Sequence, residues 1–318
     1  MPLPILRSLK TAQPLRLWSL IAASVLTGAL TASCGGSDAS SSARVNLDKT
    51  NMLPAAQKAN DSFVLFDLAM FAGNYVLWGN DWFDSGKAYK CLNGDALSGT
   101  VTLTTSRSGK GFLPNDVLTV TYDNCQQDET DPARTTGRLD LTVLAINGDP
   151  SSQAIGQPWS YTAKVRYSQL TMLSPDQRSV IDGEIQVTES SPGVINADLD
   201  ERITTHLETS SMRLTEDADI HTYSKVNGTL LSEYTNNNAW TATINTELNS
   251  TALAGTLSFA TLEPFKGVLG NPFPTSGLGR IDASAQQQLQ MRAKPSGVEG
   301  TLSTPQTTES FFIDWTHF

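Results

Sequence analysis

The sequence has 318 residues, with 32 acidic and 22 basic side chains and a formal net charge of −10. This acidic balance makes nucleic acid a poor partner, because an acidic surface repels phosphate groups. The length is enough for one large domain or two small ones.

The first segment has the layout of a bacterial export signal. A leader with three bases and no acid ends at Arg16, and residues 17–30 then form an apolar run. That run is shorter than the about 20 residues that a membrane-spanning helix needs. The next four residues, Thr31-Ala32-Ser33-Cys34, resemble the lipobox of bacterial lipoproteins, although the commonest pattern has Leu in place of Thr31. The resemblance implies cleavage before Cys34 and acylation of that cysteine, and we prefer it to an ordinary cleaved signal in which Cys34 is incidental.

A lipidated Cys34 would fix the compartment of the mature chain. Several acyl chains hold a protein on a bilayer durably, at about 0.8 kcal/mol for each buried methylene. Gly35 follows the cysteine, whereas lipoproteins retained in an inner membrane often have Asp there, so the resemblance implies the outer membrane of the cell envelope. Loss of the leader's bases takes the net charge from −10 to −13. We therefore expect a signal peptide over residues 1–33, a flexible Gly/Ser-rich tether over 34–46, and a single β-rich domain over 47–318.

One helix is predicted at the start of that domain, over about residues 50–78. Apolar and small residues recur there at spacings of three and four, and the opposite side is also apolar. A helix that is apolar nearly all round must be buried on more than one side. Lys58, Asp61 and Asp67 argue against a membrane span, and a bend is expected near residues 60–62. The stripe comprises Leu53, Ala56, Asn60, Phe63, Phe66, Met70, Asn74 and Leu77.

From about Cys91 onward the hydrophobic period changes to two, which is typical of half-buried strands. Turn-forming clusters separate these strands, and residues such as Gly99, Gly137 and Gly183 recur just before alternating segments. Short turns between neighbouring strands favour an antiparallel meander. A sheet of about a dozen strands must curl or close. The sequence thus predicts a mainly β fold, a large curved antiparallel meander like a half-barrel or barrel, with the N-terminal helix packed on it.

Two cysteines remain if Cys34 carries lipid. In an oxidising compartment, Cys91 and Cys125 are most simply a disulfide, since the alternative of a two-cysteine metal site lacks nearby histidines.

A family resemblance covers most of residues 34–318. The segments CLNGDALSGTVTL, LPNDVLTVTYDNC and TTGRLDLTV, together with NPFPTSGLGRIDAS and the terminal FFIDWTHF, resemble a group of uncharacterised proteobacterial lipoproteins. The resemblance implies a β-rich lipoprotein with Cys91 bonded to Cys125. It carries no assigned activity.

No catalytic or metal-binding signature is found in the sequence after the signal segment. His206 and His221 could lie on neighbouring strands near acidic residues, but surface histidines explain them more simply than zinc ligands. The run from Asn196 to Asp200 is similar to the first half of a calcium loop and lacks the glycine and glutamate of an EF-hand, while a looser calcium site stays open. We expect no cofactor, no metal, no catalytic residues and no enzymatic activity.

Two function classes remain open. The first is a structural or interacting protein that is anchored to a membrane by lipid and contacts other envelope proteins. The second is a carrier that holds an apolar ligand in its curved sheet, an idea that rests on fold analogy. Large side chains such as Phe63, Phe66, Met70 and Phe71 could fill the concave side, which favours the first class.

Overall fold

The structure is a computed structural model that describes residues 43–78, 86–91, 98–107, 111–128, 131–150, 157–175, 177–193, 201–234, 238–271, 273–284 and 286–317. The signal segment, Cys34 and most of the expected tether lie outside these residues. Ala43 and Val45, within the expected tether, contact the sheet. Thr256 donates its N–H to the Ala43 carbonyl at 2.9 Å and accepts from the Val45 N–H at 3.0 Å, and Val45 is buried.

The helical segment has two helices separated by a tight turn. Helix α1 spans Met52–Asn60, a 3-10 turn spans Asp61–Phe63, and helix α2 spans Val64–Trp78. The helix expected over about 50–78 is therefore confirmed, and the bend expected near residues 60–62 is this 3-10 turn.

The described residues contain fourteen strands in one antiparallel sheet, whose order along the sheet is the order along the chain. This confirms the predicted meander with a helix packed on it. The strands are β1 Lys87–Lys90, β2 Thr100–Thr105, β3 Val117–Asp128, β4 Asp131–Asn147, β5 Trp159–Leu173, β6 Arg178–Ser191, β7 Glu201–Glu216, β8 Asp219–Tyr234, β9 Ala239–Ser250, β10 Gly255–Val268, β11 Ser276–Asp282, β12 Gln288–Lys294, β13 Gly297–Ser303 and β14 Thr308–Asp314. A short 3-10 turn, Trp315–His317, follows β14.

The recurring glycines do not all precede strands as expected. Gly137 and Gly183 lie inside β4 and β6, at φ of 121° and 129°, next to register shifts in the ladders with β5. Only glycine adopts this backbone conformation without strain, and an extra residue in one strand bends the sheet there. At both register shifts the extra residue belongs to β5, around Gln169, so the two glycines face this bulge from the strands on either side.

The sheet curves around the helical segment. Helix α2 packs against β5, β6 and β7, α1 reaches β12, and the 3-10 turn contacts β9. At the outer contacts, the Phe71 ring lies 6.1 Å from that of Tyr122 on β3, and the Phe63 ring lies 5.5 Å from that of Phe265 on β10. One core therefore joins the helical segment to strands β3 to β12.

Candidate functional site

The concave side of the sheet is the part of the fold where a ligand or a reaction could be housed. Four tyrosines point into it from three strands, β3, β5 and β8, and each is at most 3% exposed: Tyr122, Tyr161, Tyr167 and Tyr223. The Tyr167 hydroxyl donates to the Leu68 carbonyl of α2 at 2.7 Å. The hydroxyls of Tyr75 on α2 and Tyr122 on β3 hydrogen-bond each other, and burial raises the pKa of Tyr75 to about 12. The sheet thus holds α2 by hydrogen bonds as well as by apolar contact.

Helix α2 fills this side with large and small apolar residues. Phe66 is 2% exposed, and a Cβ atom at Gly228 of β8 would lie 2.8 Å from its ring. The ring therefore rests directly on a glycine of the sheet. The expected stripe is correct for Phe66 but not uniformly buried, because Phe63 and Met70 are only partly buried. The deepest face of the helix comprises Leu65, Ala69, Ala72 and Val76.

A small cavity lies beside the 3-10 turn, under the end of the sheet. Its volume of about 20 Å³ accommodates about one water molecule. A lipid tail or a sterol does not fit in it. The lining residues are Asn60, Phe63, Phe259, Phe265, Pro274, Met291, Ala293, Val298 and Trp315.

An ionic cluster lies where the 3-10 turn meets the hairpin of β7 and β8. Lys58 Nζ is 2.8 Å from Glu216 Oε2 and 3.1 Å from Asp61 Oδ2. Burial opposes the charge on Lys58, but the two carboxylates outweigh it and raise the Lys58 pKa. For Asp61 it is burial that raises the pKa of the carboxyl group above its ordinary value. For Glu216, burial is outweighed by His221 and Lys58, which lower its pKa to about 2.

The same cluster includes a serine, a histidine and a glutamate in a row. His221 Nδ1 is 3.0 Å from Ser250 Oγ, and Nε2 is 3.3 Å from Glu216 Oε2, without the alignment of a hydrogen bond. Residue types of this kind form hydrolytic triads when the serine can reach a substrate. Here Ser250 and His221 are both 0% exposed. The row is therefore a buried polar contact that ties the ends of β7, β8 and β9 together.

A second polar group lies beneath the middle of α2. Glu189 of β6 accepts hydrogen bonds from the Tyr161 hydroxyl at 2.6 Å and from the Thr205 hydroxyl at 3.0 Å. Burial raises the Glu189 pKa to about 7, although both hydroxyls act to lower it. A Cβ atom at Gly73 of α2 would lie 2.2 Å from the Tyr161 hydroxyl oxygen. Glycine at this position lets the helix approach the Tyr161–Glu189 pair.

Asp67 of α2 is the least expected residue of the interface. Its side chain is 5% exposed, and neither carboxylate oxygen has a hydrogen-bond partner among the described residues. Burial raises the Asp67 pKa well above its ordinary value of 3.8. An acid in such surroundings is stable in its neutral form, since a buried unpaired charge is costly.

Glu189, His221 and Glu216 were not predicted to face inward, although the alternation along their strands indicates it. Glu189 follows Ile185 and Val187 at steps of two, and all three are buried on one face of β6. The burial of Asp67 could not be predicted in this way, because its helix is apolar on nearly every side.

The two cysteines expected to pair are bonded. Cys91 follows β1 and Cys125 lies in β3, and their Cα atoms are 5.6 Å apart. Both are buried. The disulfide therefore links the end of β1 to β3, the two strands that flank β2.

The remaining candidate residues are not brought together. His206 and His221 do lie on neighbouring strands, β7 and β8, but His206 is partly exposed and contacts Glu208 at 3.2 Å and Thr229 at 3.2 Å. The calcium-like run from Asn196 to Asp200 lies outside the described residues. Within the described part, no group of three or more His, Cys, Asp or Glu side chains is placed to hold a metal ion.

Comparisons with known proteins supply no relative. No protein-family model matches the chain, and no curated protein and no solved structure matches it significantly. None of the helices in the described residues is long and apolar enough to cross a membrane.

Proposed function

We propose that this chain is a lipid-anchored protein of the bacterial cell envelope whose role is structural or interactive rather than catalytic. The observation that carries the proposal is the occupied concave side of the sheet. Phe66 and its neighbours on α2 fill the space in which a carrier would hold its ligand. The cavity next to the 3-10 turn, at about 20 Å³, is too small for a lipid.

Two features of the chain support the envelope as its location. Thr31-Ala32-Ser33-Cys34 has the pattern of a lipobox after an apolar run of export-signal length. The Cys91–Cys125 disulfide fits an oxidising compartment, because disulfides are rare in a reducing cytosol. Gly35 favours delivery to the outer membrane.

The anchor is tested by replacing its cysteine in the full-length chain. Cys34→Ala is expected to abolish membrane association and to leave an uncleaved or soluble form, because no acyl chain can then be attached. The measurement is fractionation of envelope and soluble material, with the mass of the extracted native protein as a second readout. Ser33→Ala is the matched control and keeps both the small residue and the cysteine.

Three results would decide the proposal. Unchanged membrane fractionation of the Cys34→Ala variant would contradict lipid anchoring. A native mass equal to the acylated chain alone supports the structural role. A native mass that includes a co-purifying apolar molecule would replace that role with ligand carriage.

A further inference from the structure

The place where the chain joins the sheet fixes which end of the domain lies near the anchor. Arg44 forms a parallel bridge with Thr256 at the start of β10, and Ser284 donates its N–H to the Val45 carbonyl at 2.9 Å. Because this short segment runs parallel to β10, the chain that precedes Ala43 leaves the sheet at the end where β10 begins.

Four hairpin turns lie at this same end, because neighbouring strands alternate in direction. They join β5 to β6, β7 to β8, β9 to β10 and β11 to β12, and we call them, with the strand residues that flank them, the tether rim. Its described residues lie within 173–178, 216–219, 250–255 and 282–288. Asp217 donates its N–H to the Arg178 carbonyl at 2.8 Å, and Thr251 donates its N–H to the Ile220 carbonyl at 3.0 Å. These hydrogen bonds make the first three turns one continuous edge of the domain.

The length of the tether limits which part of the domain can touch a membrane. Cys34 is separated from Ala43 by nine residue steps, over which an extended chain covers at most about 30 Å. Strand β10 has 14 residues and is about 45 Å long when straight. If the opposite end of the sheet faced the bilayer, Ala43 would be farther from the lipid than the chain can reach. An anchored Cys34 therefore keeps the tether rim, or a side of the sheet, next to the lipid.

Leu173 is exposed on the tether rim beside basic side chains. It is 52% exposed, and it pairs across strands with Arg134 of β4 and with Arg178 of β6. Side chains directly opposite each other in a sheet point to the same face. Arg178 is exposed and Arg134 is half-buried, while Asp176 of the same turn lies outside the described residues. Single exposed leucines are common on protein surfaces, but this one lies at the end of the domain that the tether holds near the lipid.

We propose that the corner of the tether rim formed by Leu173 and Arg178 rests on the lipid surface. This inference rests on the lipid anchor of the proposed function and adds the orientation of the domain on the membrane. Leucine is stabilised by leaving water, and the neighbouring arginine can bury its stem while its charged head stays at the lipid phosphates. Asp217 and Asp219 lie on the next hairpin, so anionic headgroups favour contact through the Leu173 corner over contact through that hairpin.

The test compares two exposed leucines at opposite ends of the domain. Leu113 lies in the connection between β2 and β3, away from the tether rim, and is 55% exposed. Leu173→Cys and Leu113→Cys are labelled with the same environment-sensitive fluorophore on the acylated chain, in which Cys34 is blocked by lipid. Each labelled chain is reconstituted in vesicles of phosphatidylcholine and phosphatidylglycerol that carry a nitroxide quencher near the headgroups. The fluorophore at position 173 is expected to lose most of its emission, and the fluorophore at position 113 is expected to keep it.

A second pair of variants tests the basic side chain. Arg178→Glu in the labelled Leu173→Cys chain is expected to reduce the quenching, because phosphatidylglycerol repels the new carboxylate. Lys225→Glu in the same chain is the matched control, since it changes a base of β8 whose side chain is 74% exposed and which is not on the tether rim. It should leave the quenching unchanged. Far-UV circular dichroism reports whether each variant is folded.

Flotation of the vesicles separates failure of the anchor from failure of the orientation. A chain that does not float with the vesicles has no lipid anchor, which would overturn this inference together with the proposed function. A chain that floats but is quenched at neither position, or at position 113 as strongly as at 173, overturns the orientation alone. Floating chains quenched at position 173 and not at 113, with weaker quenching after Arg178→Glu, support it.

Discussion

The buried acids Glu216 and Glu189 make the stability of this protein depend on pH in opposite directions. The Glu216 pKa, at about 2, is below its ordinary 4.5, so its pairing with Lys58 and His221 stabilises the fold above pH 4.5 and is lost as the pH falls toward 2. The Glu189 pKa is raised to about 7, so the fold is favoured by its protonated form. That contribution is fully present below pH 4.5 and is lost as the pH rises through 7. The raised pKa of Asp67 acts in the same direction as that of Glu189.

The substitution Glu189→Gln tests the pH dependence of stability at a single residue. A glutamine can accept from Tyr161 without ionising, so we expect the variant to lose less stability than the wild-type chain between pH 4.5 and 8. The difference should approach about 3 kcal/mol, the free energy of a pKa shift of this size. The measurement is the free energy of unfolding by denaturant at several pH values. Glu184→Gln on the same strand, with a side chain 46% exposed, is the control that should follow the wild-type pH profile. Parallel profiles for Glu189→Gln and wild type would show that Glu189 is not neutral in the fold.

At the scale of the element, helix α2 determines whether the concave side of the sheet is filled by protein or is available to a ligand. Phe66→Ala removes a ring that lies on Gly228 and leaves a cavity behind it. The expected loss is about 3–5 kcal/mol, from the lost burial together with the cavity. Thermal and denaturant midpoints report this loss.

A control for this change is Phe312→Ala. The Phe312 ring is 53% exposed, and its removal should cost no more than about 0.5 kcal/mol. A Phe66→Ala protein that keeps its midpoint and takes up a lipophilic dye would show that α2 is a lid over a ligand space.

The elements themselves were predictable from local patterns. Alternation indicated strands such as the one around Val165 and Tyr167, and spacings of three and four indicated the helix with its interruption near Asn60. The depth of each helical face was not predictable, because Phe63 and Val64 are equally apolar in sequence and only the curvature of the sheet decides which is covered. The register shifts beside Gly137 and Gly183 were not predictable either, since alternation within one strand does not show how it pairs with the next.

At the scale of the whole molecule, one core holds strands that are otherwise connected only to their neighbours. A long meander could unfold strand by strand, because each strand pairs only with those next to it in the chain. The helical segment opposes this, since its side chains reach from Tyr122 on β3 to Phe265 on β10. Hydrogen bonds from Tyr167 to Leu68, and from Tyr161 to Glu189 beneath Gly73, lie between these ends.

We therefore expect the domain to unfold in a single cooperative transition rather than from its edges inward. Heating should give one midpoint by far-UV circular dichroism, which follows the sheet. Tryptophan fluorescence should give the same midpoint, because the tryptophans include Trp78 in α2 as well as Trp159 in β5, Trp240 in β9 and Trp315 after β14. Coincident transitions measured by different probes are the criterion for two-state behaviour. Phe66→Ala should lower both midpoints together, because the ring belongs to the shared core. A variant in which the fluorescence midpoint falls while the sheet signal persists would mean that the strands are stable without the helix, and that the concave side can open independently of the fold.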